Sequence, residues 1–505
     1  MKFNIFKRKQ LSTTNYEGAN AYKLSPEFEL YSAVVNTTLG DSFYETETDR
    51  LSRIQELIHK NRPEFVAQLA VYSRTEMYLR SIPMVLTIEL AKQNSGNPLI
   101  AKTVSAVVNR ADEITEMLAY YQLANKRNDT KKLNKLSKQI QKGLAQSFNK
   151  FDEYQFAKYN RAREIKLRDA LFLVHPKPKD VAQQILFNKI ASNELAIPYT
   201  WETELSALGK QKFESSKAKS LAITAKWEEL IDSKKVGYMA LLRNLRNILE
   251  ANVSDSHLNK VCQFLSNERN VAHSKQMPFR FLSAYRELKC LPYDRVSMIL
   301  NALEDAILVS VQNVKGFDES TKIAIACDVS SSMQKTISAR SKVQLYDIGL
   351  VLAMILQTKC KRAITGMFGD TWKVINMPQK AILSNVDEYH KREGEVGYST
   401  NGYKVIDDLL NRKQYLDKIM LFTDCQLYSS NHGGKSLENS WRAYKKMVPN
   451  AKLYLFDLAG YGNTPVSIAN KDVYLIAGWN EKVFDVLESL ENGAGALEKI
   501  KQVVV

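Results

Sequence analysis

The sequence predicts a multidomain protein in which an all-helical N-terminal part precedes a doubly wound α/β domain. From about Asp49 to Leu308, apolar residues recur at helical spacing. After Gly316, short apolar runs alternate with amphipathic helices. The chain has 505 residues, more than one hydrophobic core usually supports. We therefore predict two domains, residues 1–315 and 316–505.

The helical part shows successive buried stripes separated by short breaks. Leu51, Ile54 and Leu57 form one such stripe, and Asn61-Arg62-Pro63 follows it as a break. Further breaks stand at 94–98 and 175–178. This pattern predicts a stack of antiparallel helix pairs, in which each pair buries its apolar face on the next.

The C-terminal part contains β-branched runs that are apolar almost throughout. These runs are Lys322–Cys327, Ala363–Phe368, Ile419–Phe422, Leu453–Phe456 and Val473–Ile476. Strands of this kind, alternating with helices, are typical of a parallel sheet covered on both faces. A ligand site is then expected outside the carboxyl ends of the strands.

A candidate metal site follows the first of these runs. Asp328, Ser330 and Ser332 form a D-x-S-x-S pattern, which offers one carboxylate and two hydroxyls on a tight turn. Hard divalent cations prefer such oxygen ligands. The loop resembles the metal-ion-dependent adhesion site of von Willebrand factor A domains, and this resemblance implies Thr400 and Asp424 as further ligands of a cation such as Mg²⁺. Alternatively, these polar residues only cap helices and turns.

Basic residues are concentrated in the helical part. The net charge is +16 with a pI near 9.3, and +12 of it lies in residues 1–305. Residues 126–150 hold eight Lys or Arg, among them Lys131 and Lys132, against Asp129 alone. Residues 156–180 add Lys158, Arg161, Arg163, Lys166, Arg168, Lys177 and Lys179, with Tyr159 and His175 among them. Such clusters neutralise phosphates, while aromatic and guanidinium planes stack on unpaired bases. The alternative is a solvated helix face.

Arg243 and Arg246 lie three residues apart on a strongly helical stretch, and therefore on neighbouring parts of one face. They could point into a shared opening and contact RNA. They could equally be structural residues that clamp helix ends.

Several segments in this order resemble the Ro autoantigen (TROVE-domain) family. They are Thr14-Asn15-Tyr16-Glu17-Gly18, Asp41-Ser42-Phe43-Tyr44, Pro63-Glu64-Phe65-Val66-Ala67, Leu79-Arg80-Ser81-Ile82-Pro83, Arg168-Asp169-Ala170-Leu171, His175-Pro176-Lys177-Pro178 and Ala240-Leu241-Leu242-Arg243-Asn244-Leu245. The resemblance implies a ring of HEAT-like repeats followed by a von Willebrand factor A-like domain.

The same resemblance implies a function in RNA quality control without chemistry. Family members bind small structured Y RNAs on the outer surface of the ring, pass single-stranded 3′ ends of misfolded RNAs through the central hole, and in bacteria associate with polynucleotide phosphorylase. Carried over to this chain, the Y RNA surface includes Lys158, Arg161, Lys166, Arg168, His175 and Lys177, and Arg243 and Arg246 face the hole. The chain departs from the family at Asn401 and at Cys425-Gln426, which removes charge beside the predicted metal.

Other classes are weighed against this hypothesis. Five cysteines without a CxxC pattern, no long apolar window and no signal-peptide core in Met1–Gln10 predict a cytoplasmic protein with reduced thiols and no membrane association. We find no GxxxxGK[ST], HExxH, GxSxG or post-strand GxGxxG pattern, so we expect no enzyme. The main alternative is a metal-dependent adhesion or assembly module on a helical scaffold. A closed ring made from one chain also predicts a monomer.

Overall fold

The computed structural model describes residues 10–39, 42, 44–127, 135–312, 320–339, 341–430, 434–493 and 495–505. The predicted domain boundary at 315/316 lies outside these residues. So do Lys131 and Lys132 of the basic segment, Asp129 beside them, Asp41 and Phe43 of one family-like motif, and residues 1–9.

Helices make up most of the described chain. They are α1 (Pro26–Val35), α2 (Glu47–Lys60), α3 (Pro63–Thr75), α4 (Ser81–Gln93), α5 (Leu99–Val107), α6 (Asp112–Ala124), α7 (Lys138–Phe148), α8 (Glu153–Tyr159), α9 (Leu167–Val174), α10 (Val181–Ser192), α11 (Trp201–Gly209), α12 (Ser216–Asp232), α13 (Tyr238–Glu250), α14 (Asp255–Ser266), α15 (Glu268–Ser274), α16 (Phe279–Lys289), α17 (Val296–Gln312), α18 (Leu345–Lys359), α19 (Ile382–Arg392), α20 (Tyr403–Asn411), α21 (Leu437–Met447), α22 (Val483–Glu491) and α23 (Ala496–Lys501). The strands are β1 (Ser12–Thr14), β2 (Asn20–Lys23), β3 (Lys322–Asp328), β4 (Arg362–Phe368), β5 (Trp372–Val374), β6 (Lys418–Thr423), β7 (Lys452–Asp457), β8 (Asn463–Thr464) and β9 (Val473–Ala477). None of these helices is both long enough and apolar enough to cross a bilayer.

The chain divides into two compact units. The first contains the described residues of Met1–Ile54, Tyr238–Leu249 and Asn259–Lys499, and the second those of Gln55–Gly237, Glu250–Leu258 and Ile500–Val505. The first unit thus draws on both sides of the boundary predicted from the sequence, and that boundary stays a prediction.

The second unit is helical, as the apolar periodicity predicts. Helix α3 packs on α4 and α5, α4 on α6, α5 on α7, and α9 on both α7 and α10. Near neighbours along the chain are therefore neighbours in space, which is the packing expected of a helical repeat. Helix α7 approaches α5 closely because Gly143 has no side chain at the crossing.

The first unit contains a six-stranded sheet in the order β5-β4-β3-β6-β7-β9. Five of these strands are parallel, and they coincide with the five predicted apolar runs. Edge strand β5, which was not predicted, adds to these strands and runs antiparallel to β4. The three residues 369–371 join β4 to β5, and so short a connection permits only an antiparallel pair.

Helices cover both faces of this sheet. Helix α18 packs on β3 and β6, and its turns Leu350 to Leu356 are buried throughout. The opposite face buries a cluster that includes Ala324 and Leu421 from the strands together with Leu409, Trp441 and Tyr444 from α20 and α21. This packing fixes the strands and leaves their carboxyl ends to carry loops.

A second, three-stranded antiparallel sheet lies in the same unit and was not predicted. Strands β1 and β2 form a hairpin, and β2 pairs with β8 through Tyr22 opposite Thr464. These strands are two to four residues long and largely polar, so they carry no hydrophobic alternation that sequence analysis can detect.

Candidate RNA interface and metal site

The predicted metal ligands come together because two neighbouring parallel strands end side by side. Cys327 of β3 pairs with Phe422 of β6, so the strand ends that carry Asp328 and Asp424 lie at the same edge of the sheet. Both carboxyl side chains are fully buried.

Local hydrogen bonds hold this arrangement. The Thr423 hydroxyl donates to Asp328 Oδ2 at 2.6 Å, and the backbone N–H of Ser330 donates to Asp328 Oδ1 at 2.9 Å. The hydroxyls of Ser330 and Ser332 lie 3.3 Å apart. Asp424 Oδ1 accepts from the backbone N–H of Gln426 at 2.9 Å. Hydrogen bonds therefore fix at least one side-chain oxygen of Asp328, Ser330, Ser332 and Asp424.

Two buried oxygens at this site have no hydrogen-bond partner among the described residues: Thr400 Oγ1 and Asp424 Oδ2. Buried polar atoms are normally paired, so orphaned oxygens point to a missing partner. Burial raises the pKa of Asp424, and the nearby charge of Asp328 raises it further. Burial likewise raises the pKa of Asp328. A cation would relieve both the repulsion and the desolvation.

The donor set fits a hard divalent cation. Two carboxylates and three hydroxyls are oxygen ligands of the type that Mg²⁺ or Ca²⁺ prefers. Among the described residues, no group of three or more His, Cys, Asp or Glu side chains is arranged to hold a metal, and this site itself combines only two carboxylates with hydroxyls. If Mg²⁺ binds, Asp328, Ser330, Ser332, Thr400 and Asp424 would hold it, and it would supply an electrophilic position for an acidic group.

A cavity of about 440 Å³ opens over these loops. Ser330, Ser332 and Thr400 line it. The cavity is also lined by Glu17, Tyr44 and Asp370, which were not predicted from the sequence as site residues. Glu17 and Tyr44 fall in two motifs that carried the family resemblance, but nothing in the sequence places them at this cavity.

The departures from the family pattern have structural roles here. Cys425 is buried with a positive φ of 64°, and its N–H donates to the Thr423 hydroxyl at 3.2 Å. Gln426 accepts from the backbone N–H of Tyr16 at 2.9 Å and donates to Asn463 at 3.2 Å. Asn401 donates to the backbone oxygen of Asp370 at 3.3 Å. None of them replaces a predicted ligand.

The predicted RNA-binding residues of 158–179 belong to the second unit and are accessible. Arg161, Lys166, Arg168, His175, Lys177 and Lys179 are exposed, and Lys158 is half-buried. Lys158 lies on α8 and Arg161 follows that helix, whereas the others belong to or flank the short helix α9. Helix α9 begins where the backbone N–H of Lys166 donates to Asp169 at 3.0 Å. It ends at His175 in the left-handed conformation, with φ 52°. The loops at both ends of α9 therefore present cations to solvent.

Exposed aromatic rings accompany these cations. The Lys158 ammonium lies 5.5 Å from the ring centre of Tyr154, and the Arg168 guanidinium 5.7 Å from that of Phe172. Phe172 is 52% exposed and Tyr154 41%, although large apolar rings usually gain by burial. Exposed rings next to cations are suited to stacking on unpaired bases. The sequence analysis did not single out either ring.

Other Lys and Arg side chains of the basic segments form hydrogen bonds or ion pairs within the protein. Lys150 donates to the backbone oxygens of Ser105 and Val108, the latter at 2.9 Å, and burial lowers the pKa of Lys150. Arg163 forms an ion pair with Glu116. Counting charges along the sequence therefore overestimates the cations that are available to a ligand.

Arg243 and Arg246 belong to the first unit, where both are exposed on α13 and line one cavity of about 240 Å³. Arg280, which sequence analysis missed, lines the same cavity. Burial lowers the pKa of Arg280, and the charge of Arg243 lowers it further. Arg246 donates to Glu287 at 3.0 Å, as the structural alternative expects. The two arginines thus share an opening, and one of them also ties two helices together.

Comparison with known proteins supports the family resemblance. The family model described as the TROVE domain matches residues 30–195 and 192–291. Telomerase protein component 1 of Rattus norvegicus is 26% identical over 304 residues, and its Mus musculus counterpart is 26% identical over 301. These matches cover 45% and 44% of this chain, which spans only 11% of the length of each relative.

The fold is similar to that in the crystal structure of the Deinococcus radiodurans Ro (RSR) protein. The TM-score is 0.58 at 16% sequence identity, over 93% of this chain and 100% of that one. This similarity bears on the fold, and confirms a helical repeat region followed by a sheet domain. Because the family model matches more than half of the sequence, the chain belongs to the TROVE-domain family, whose members are RNA-binding components of ribonucleoproteins.

Proposed function

We propose that this protein binds small structured, Y-like non-coding RNA through the basic surface of residues 158–179 and performs no chemistry on it. The carrying observation is the set of exposed cations around α9 with exposed Tyr154 and Phe172 among them. Cations give salt-dependent affinity for the phosphates of a folded RNA. The rings add contacts to its unpaired loops. The family membership supports the same proposal.

A second RNA contact is proposed at the cavity of Arg243 and Arg246. Three arginines around one opening, two of which repel each other, favour an anionic occupant. A single-stranded 3′ end of a misfolded RNA carries anionic phosphates. It has no duplex whose width would keep it out of this opening. In this proposal the protein acts in RNA quality control, and hands the bound RNA to an exoribonuclease such as polynucleotide phosphorylase in the cytoplasm.

For the α/β domain we propose a bound Mg²⁺. Its support is the pair of orphaned buried oxygens and the mutual repulsion of Asp328 and Asp424. The second candidate function, metal-dependent binding of an acidic protein partner, rests on the same site. It differs from the RNA proposal because it does not require the Lys and Arg side chains of the second unit.

The RNA proposal is tested by reversing charge at Lys166 and Arg168. We expect the double substitution Lys166→Glu and Arg168→Glu to weaken binding of a small structured RNA by more than about tenfold at moderate salt. The slope of log affinity against log salt should also fall by roughly two, because two phosphate contacts are lost. Fluorescence anisotropy titrations across a salt series measure both quantities.

The matched control is the double substitution Lys217→Glu and Lys219→Glu, which makes the same change of charge at exposed positions of α12. It should weaken binding by less than about threefold, as expected from a general field alone. Unchanged affinity in the first variant, or an equal loss in both, would contradict the assigned surface.

A further inference from the structure

The β1–β2 hairpin turn is fixed to the loop that carries Asp424. The Asn15 side chain donates to the backbone oxygen of Leu427 at 2.8 Å, and the Tyr16 N–H donates to the side chain of Gln426 at 2.9 Å. Gln426 in turn donates its N–H to Asp424. Within the turn, Asn15 also accepts from the Ala19 N–H at 2.8 Å. The position of the turn relative to the predicted metal ligands is therefore set by several bonds.

This turn places Glu17 at the cavity above the predicted ligands. Glu17 lines it together with Ser330 and Ser332. Tyr44 donates its hydroxyl to Glu17. The Tyr44 ring stacks on Tyr16 with ring centres 4.8 Å apart, and this fixes the phenol that holds Glu17. The Glu17 carboxylate therefore lies in the same cavity as the predicted metal ligands Ser330 and Ser332.

The charged side chains that line the cavity are carboxylates, and the Lys404 ammonium lies outside the lining, where it donates to the backbone oxygen of Asp370. The described residues that line the cavity include Glu17 and Asp370 and no Lys, Arg or His. Glu17 and Asp370 share one cavity whose lining has no cationic side chain, so a bound cation would offset their repulsion.

We propose that Glu17 is a further ligand of the divalent cation and occupies the coordination position that faces the cavity. This inference rests on the proposed Mg²⁺ site. Mg²⁺ takes six oxygen ligands, and the five predicted side chains leave room for such a group. The cation then joins the N-terminal hairpin to the loops after β3 and β6. An acidic group of a protein partner can reach the cation only by displacing Glu17.

The test uses Mn²⁺, a paramagnetic substitute for Mg²⁺, with the full-length chain. Glu17→Gln keeps the size of the side chain and removes its charge. We expect this variant to bind Mn²⁺ about tenfold more weakly, by electron paramagnetic resonance titration, because a ligand is lost. Water proton relaxation should show an additional water on the bound ion. Asp370→Asn is the control, because it neutralises the other carboxylate of the same cavity.

The outcomes separate the possibilities. A loss in Glu17→Gln that exceeds the loss in Asp370→Asn, with the added water, supports the inference. Wild-type affinity in Glu17→Gln, or equal losses without the water, overturns it and leaves the metal site standing. Absence of Mn²⁺ binding by the wild type overturns the metal site as well, while RNA affinity is unaffected. If Glu17→Gln does not fold by circular dichroism in EDTA, Tyr44→Phe is measured instead, and unaltered Mn²⁺ affinity there overturns the inference.

Discussion

Asp328 occupies the end of a central strand, fully buried, with both oxygens engaged by neighbouring loops. A carboxylate in this position costs desolvation energy that hydrogen bonds offset only in part. With Asp424 beside it, the cost rises because the two charges repel. The two buried carboxylates, Asp328 and Asp424, therefore favour a cation that pairs with both of them.

Removing this carboxylate should remove the response to Mg²⁺. For the wild type, Mg²⁺ at a hundredfold excess over its dissociation constant should stabilise the fold by about 2.7 kcal/mol. Asp328→Ala should abolish the associated rise in melting temperature relative to EDTA, while its RNA affinity stays within about threefold, because the RNA surface lies in other residues. Differential scanning fluorimetry and RNA titration measure the two effects.

Asp472→Ala is the control for a general loss of charge, since this exposed carboxylate pairs with Lys445 and takes no part in the site. It should keep the full Mg²⁺ response. A Mg²⁺ response in Asp328→Ala equal to that of the wild type would remove the metal site from the account. Loss of RNA affinity in Asp328→Ala would indicate that the cation also contributes to RNA binding.

The proximity of Asp328 and Asp424 was predictable from the sequence, because each follows a buried strand and the carboxyl ends of adjacent parallel strands meet. Their role as metal ligands stays a prediction. Glu17, Tyr44 and Arg280 were not predictable as members of these sites. They reach their cavities through tertiary packing of distant segments, and spacing along the chain carries no information about it.

At the scale of elements, the contact between α5 and α7 is set by one glycine. A Cβ on Gly143 would lie 2.5 Å from the Val104 Cβ and 2.6 Å from the backbone oxygen of Ala101. Helix propensity favours Ala over Gly by about 1 kcal/mol. Overpacking against a backbone atom costs about 1–3 kcal/mol. The overlap should therefore outweigh the propensity.

We expect Gly143→Ala to lower the local stability of α5 and α7 by up to about 2 kcal/mol, the overpacking cost less the gain in helix propensity. Hydrogen exchange measured by mass spectrometry should show faster exchange in these two helices. Gly209→Ala, at the end of α11, meets nothing within 4 Å and serves as the control. It should leave exchange unchanged or slower. Unaltered exchange in Gly143→Ala would show that α5 and α7 can shift to accommodate the methyl group without loss of stability.

Long elements were predictable and short ones were not. The five parallel strands coincide with the apolar runs because strands buried on both faces select β-branched residues throughout. Edge strand β5 and strands β1, β2 and β8 have two to four residues. Their pairing is decided by neighbouring backbone and by the length of the connection, not by their own composition.

At the scale of the whole molecule, the fold class followed from hydrophobic periodicity, but the composition of the compact units did not. The first unit draws residues from Met1–Ile54 and Tyr238–Leu249 as well as from the α/β segment. Periodicity reports that a helix has a buried face and does not identify its neighbour. The net charge of +16 could be interpreted without knowing the packing of the helices, because charge acts over the whole surface, and it favours a polyanionic ligand.

The central claim, RNA binding through residues 158–179, is tested most directly by crosslinking RNA to the protein in its own cells. The RNAs are sequenced and the crosslinked peptides are mapped. We expect to recover a small structured RNA together with transcripts that end in single-stranded 3′ tails. We also expect adducts on peptides from 158–179 that disappear in the Lys166→Glu, Arg168→Glu variant. Recovery of no RNA above background, or adducts that are unchanged in that variant, would contradict the claim and favour metal-dependent binding of a protein partner.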